Sequence, residues 1–128
     1  MNRADLKAHI ESLEKTYEFF LSYAALGAAG EEASKVGGQL RDFLGQADTA
    51  LRALADDLPG LLEAEGLEPA GAYRDVIDVT SADAAKAGAA VRLVMAQETI
   101  SSQLIDNLNA STHVRALLTD LFLLDDVV

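Results

Sequence analysis

This sequence predicts an all-α fold, an antiparallel four-helix bundle, on three observations. Apolar residues at Val36, Leu40, Phe43, Leu44, Ala47, Leu51, Leu54, Leu58, Leu61 and Leu62 step alternately by three and four, which is the core-facing stripe of an amphipathic helix. The same stepping recurs in the N-terminal segment and after Thr80. No segment alternates apolar with polar residues, or gathers β-branched ones, between turn signals as a strand would. The spacing places helices at about 3–26, 31–57, 81–109 and 111–125, with a short extra helical turn near 70–78. The 128 residues form a single domain, 1–128, large enough for about two thirds of the unfolded surface to be buried.

The first helix is expected to start after Asn2, an N-cap residue, with Asp5 in the first turn where its charge suits the helix dipole. Leu6, Ile10, Leu13, Tyr17, Phe20, Leu21 and Ala24 share one face, and Lys7, Glu11 and Lys15 form a solvated ladder on another. The Gly27–Gly30 stretch reads as a turn, and Glu31 and Glu32 suit the next helix N-terminus. That helix should end near Asp57, because Pro59 cannot donate to the carbonyl four residues back. Gly37, Gly38 and Gly45 fall inside its pattern, at about 1 kcal/mol each relative to alanine. Either a second helix approaches closely at Gly38 and Gly45, or the helix begins only after Gly38.

Gly66, Pro69 and Gly71 mark the stretch up to Val79 as a connection between two halves. Thr80-Ser81-Ala82-Asp83 has the spacing of a capping box, so the third helix is read from there, unbroken to about Leu108. Past that point Val114, Leu117, Leu118, Leu121 and Leu124 start a stripe out of phase with the old one. The slip coincides with Asn107, Asn109, Ser111 and Thr112, whose side chains compete for local backbone bonds.

Composition narrows the function. Twenty-one acidic against 10 basic residues give a net charge of -11, a field that repels phosphate backbones and anionic lipid surfaces. No nucleic acid and no membrane is therefore expected as a partner. Cysteine is absent, which removes thiolate nucleophiles, Cys-ligated zinc and covalently attached haem. The opening Met1–Lys7 carries no apolar run, and the expected setting is the cytoplasm.

Chemistry-bearing motifs are scarce. The Glu-x-x-His pairs of di-iron bundles do not occur, and His9 and His113 each sit beside a stripe. Glu11, Glu14 and Glu18 have metal-compatible spacing, but Lys7 and Lys15 beside them point to ion pairs; no metal or cofactor is expected. No glycine pattern of a nucleophile elbow surrounds a serine, and no Lys-Ser or Lys-Thr follows Gly27–Gly30 as a phosphate loop requires.

Two candidate sites remain. Gln97 and Ser101 fall within the apolar face of the third helix, with Glu98 at its edge. Buried polar groups need partners, at about 1–3 kcal/mol each when unpaired, so these three could line a small-molecule or metal site. The second is an interface. Phe19, Tyr23 and Leu26 project away from the main stripe of the first helix, while Phe122, Leu123 and the last valines exceed what one narrow face can hide. The sequence thus points to a non-enzymatic bundle acting through protein contacts, as an adaptor, assembly factor or regulatory subunit, and self-associating as a homodimer.

Overall fold

The computed structural model of the chain describes the backbone of residues 1–26, 31–112 and 114–128, and their side chains except at 31–37 and 112. All regular structure among these residues is helical: α1 (Arg3–Ala25), α2 (Glu31–Asp57), α3 (Leu61–Ala64), α4 (Ala70–Met95), α5 (Ser102–Thr112) and α6 (Val114–Val127), with a 3-10 turn at Leu58–Gly60. The turn expected at Gly27–Gly30 and the histidine His113 lie outside the described residues.

Local chemistry sets most of the helix ends. Asn2 accepts from the Asp5 amide at 2.9 Å while Asp5 accepts from the Asn2 amide at 3.1 Å, a reciprocal cap that satisfies two groups the helix leaves open. A Glu65 carboxylate oxygen takes the Arg3 amide at 2.7 Å, tying α1 to the end of α3. Pro59 ends α2 and the chain restarts as α3 after one 3-10 turn. Gly66, at φ 57°, then closes α3: its amide reaches Glu63 O at 3.3 Å and the Leu67 amide reaches Leu62 O at 3.0 Å. Those two bonds form a Schellman cap. The left-handed conformation it needs is open to glycine at little steric cost.

The second half departs from the sequence reading. The stretch expected to hold only a short turn near 70–78 is the start of a 26-residue helix. Thr80 and Ser81 are not an N-cap; they are buried, 1% and 8% exposed, in the interior of α4. Tyr73, Ile77, Thr80, Ala84, Ala87, Val91 and Val94 step by four and three along one side, all buried except the half-buried Tyr73, so the core stripe begins at Tyr73, well before the expected helix start at 81. The expected helix 81–109 is also broken: α4 stops at Met95 and α5 begins at Ser102. α5 then runs to Thr112 and α6 starts at Val114, rather than near 109 and 111.

α2 packs most extensively on α4, α1 lies against α2, and both α5 and α6 pack on α1 and α4. One core runs through the described helices, with Leu6, Phe20, Leu44, Leu54, Ile77 and Ile105 at 1% exposure or less. Of the described glycines Gly88 is the most tightly surrounded: a Cβ there would stand 3.6 Å from Leu51 Cβ and 3.1 Å from an Arg92 guanidinium nitrogen. Arg92 passes over that glycine to bond Asp48 on α2 at 2.9 Å.

α2 begins before Gly38, and neither Gly38 nor Gly45 meets another atom within 4 Å of an added Cβ. No neighbouring helix among the described residues explains them. Gly38→Ala and Gly45→Ala should therefore each stabilise the protein by about 0.5–1 kcal/mol through helix propensity, raising the thermal midpoint by a few degrees. A lower midpoint in thermal unfolding would show that these positions need glycine.

Candidate functional site

The three polar residues assigned to an inner helix face sit instead in the turn between α4 and α5. Gln97 and Glu98 are exposed. The Gln97 amide nitrogen donates back to Leu93 O at 2.9 Å. Ser101 caps α5: its hydroxyl oxygen accepts from the Leu104 amide at 3.1 Å and its carbonyl from the Ile105 amide at 3.2 Å. The premise that these side chains line the bundle interior is thus corrected, because the helix that would have pointed them inward ends at Met95.

That end is fixed from two sides. From α2, the Arg41 guanidinium donates to the carbonyls of Met95 at 3.0 Å, Gln97 at 2.7 Å and Glu98 at 3.1 Å. A cation at a helix C-terminus satisfies open carbonyls and complements the dipole. From α1, the Tyr23 hydroxyl donates to Ile100 O at 2.5 Å. Burial pushes the Tyr23 hydroxyl above its ordinary pKa of 10.0, since desolvation disfavours the phenolate.

The two-sided apolar pattern of α1 is satisfied inside the chain at Phe19 and Tyr23, whereas Leu21, expected on the core face, is 48% exposed. Tyr23 is 1% exposed, and Phe19 stacks on Phe43 of α2 with ring centroids 4.4 Å apart and planes at 19°. Tyr23 is therefore not available to a second subunit, a correction to the interface expected there. Leu26, Phe122 and Leu123 are exposed by 55%, 43% and 58%.

Leu123 belongs to a surface that the sequence showed only by half. An apolar groove of about 290 Å³ runs between the start of α4 and the end of α6, lined by Ala72, Tyr73, Val76, Leu123, Leu124 and Val127. The Tyr73 hydroxyl donates to Val127 O at 2.7 Å and joins the two helices. Val76 and Val127, both in that lining, are 38% and 52% exposed. The α4 side was missed because residues 66–79 read as a connection; the stepping from Tyr73 through Ile77 to Thr80 is the signal that reveals it.

A second, polar groove of about 630 Å³ lies between α1 and α2, with His9, Ser12, Arg41, Asp42, Gln46 and Thr49 among its walls. Among the described residues no group of three or more His, Asp or Glu side chains is placed to hold a metal ion, and no helix is long and apolar enough to cross a membrane. In comparisons with known proteins, no family, no curated protein and no solved structure matches this chain.

The Tyr23 contact carries a prediction in pH. With its folded pKa raised, this group's contribution is fully present below the unfolded value of 10.0 and is lost as pH rises through the higher folded value. Tyr23→Phe should cost about 1–3 kcal/mol at neutral pH, because the Ile100 carbonyl loses its donor. The variant should also lose less stability than the native protein above pH of about 10. Urea unfolding along a pH series checks both, and parallel curves for the two proteins would contradict the assignment.

Proposed function

We propose that this protein works by contact with another protein chain, as an adaptor, assembly factor or regulatory subunit, through the edge where α4 meets α6. The observation that carries this reading is the apolar groove there, in whose lining Val76, Leu123 and Val127 are 38%, 58% and 52% exposed. Contiguous exposed apolar area is uncommon on soluble proteins unless something covers it. The reading is also consistent with an antiparallel four-column bundle in which α5 and α6 share the fourth column, since both pack on α1 and α4.

Self-association is a second reading, favoured by Leu26 and Phe122, which add exposures of 55% and 43% outside the groove. Two-fold dimers are the commonest closed assembly.

Native mass spectrometry of the protein from its own cells tests both. The expected spectrum contains species heavier than the single chain, and Val76→Lys with Leu123→Lys removes them. Both positions are exposed, so the double variant should stay folded, each change shifting stability by no more than about 0.5 kcal/mol. A mass exactly double that of the chain supports self-association. A single chain with no added mass, in both proteins, contradicts the proposal.

A further inference from the structure

We propose that the polar groove between α1 and α2 binds a small zwitterion, an α-amino acid with a neutral polar side chain. This site is independent of the α4/α6 edge. Gly45 lies inside α2, where glycine costs about 1 kcal/mol relative to alanine, and no atom stands within 4 Å of an added Cβ to account for it. It does form part of the groove wall. Close approach of a ligand to the backbone is a use that glycine serves and larger residues obstruct. The groove, at about 630 Å³, falls in the range of small-ligand sites, about 300–1,000 Å³.

The charged groups in the walls select the ligand. Arg41, Gly45 and Thr49 step by four along α2, Asp42 and Gln46 lie on the adjacent row, and His9 and Ser12 come from α1. Three bonds to the carbonyls of Met95, Gln97 and Glu98 leave the Arg41 guanidinium at least two of its five N–H donors. Neither Arg41 nor Asp42 takes part in an ion pair among the described residues. One unpaired cation and one unpaired carboxylate in the same groove match a carboxylate and an ammonium carried by one molecule. A free anion would meet Asp42 and the field of a chain of net charge -11, and a free cation would meet Arg41. Ser12, Gln46 and Thr49 also line the groove. The Thr49 hydroxyl donates to Gly45 O at 3.0 Å, so its oxygen is left to accept, while Gln46 both donates and accepts. These groups suit a carboxamide or hydroxyl side chain better than an apolar one.

The test titrates glutamine, leucine, acetate and methylammonium into the intact protein and follows backbone amide chemical shifts. Glutamine should bind with a Kd of about 1 mM or tighter, shifting the amides of Ser12, Asp42, Gly45 and Gln46 and, through Arg41, those of Gln97 and Glu98. Each of the other three lacks a charge-assisted contact or a hydrogen-bonding side chain and should bind at least about tenfold more weakly. Arg41 also holds the end of α4, so the variants are made elsewhere. Asp42→Asn, at an exposed position, and Gly45→Met, at an open one, should each weaken glutamine at least about tenfold. Gly45→Met should at the same time raise the thermal midpoint, since methionine is the better helix former. Equal binding of acetate and glutamine, or tighter glutamine binding by Asp42→Asn, would overturn the zwitterion. Equal binding of leucine would overturn the polar side chain. Shifts confined to other surfaces, or none with any probe, would overturn the site itself.

Discussion

The turn at residues 96–101 is the constraint on which the rest of this structure depends. A helix continuing past Met95 would carry Gln97 and Ser101 along the bundle interior and leave α5 with no way back onto α1. Two side chains prevent this from opposite sides. Arg41 gathers three carbonyls at the end of α4, and Tyr23 holds the Ile100 carbonyl from α1. Both are separated from the turn by more than 50 residues, so the stop is a tertiary event. Without it, neither the length of α4 nor the placement of α5 against α1 and α4 would follow.

That distinction explains how far the sequence could be read. Ends written in local chemistry were legible: the Asn2–Asp5 cap, the stop at Pro59, and the change of phase that separates α5 from α6. The stripe of α2 was legible because burial follows periodicity, with Leu40, Leu44, Leu51, Leu54 and Leu58 all at 1% exposure or less. The start of α4 was misplaced because Thr80 and Asp83 carry a cap's spacing in a helix already under way. Thr80 instead continues the buried stripe that opens at Tyr73. The break after Met95 has one local mark, the Ser101 cap of α5; no proline or glycine accompanies it, and Arg41 and Tyr23, which hold it, lie on other helices.

The same logic governs the candidate sites. Gln97, Glu98 and Ser101 were selected by assuming a continuous helix, and their surroundings changed when the helix ended. Phe19 and Tyr23 were selected by an excess of apolar surface that Phe43 and the core absorb. Leu123, part of the same excess, stays 58% exposed. What remains exposed there is an apolar groove between α4 and α6.

The most direct test of this account is the set of backbone carbon chemical shifts for residues 90–108, which report helix residue by residue. The account predicts helical shifts through Met95, their loss across 96–101, and their return from Ser102. Uninterrupted helical shifts from 90 to 108 would contradict it, and would return Gln97 and Ser101 to the interior of the bundle.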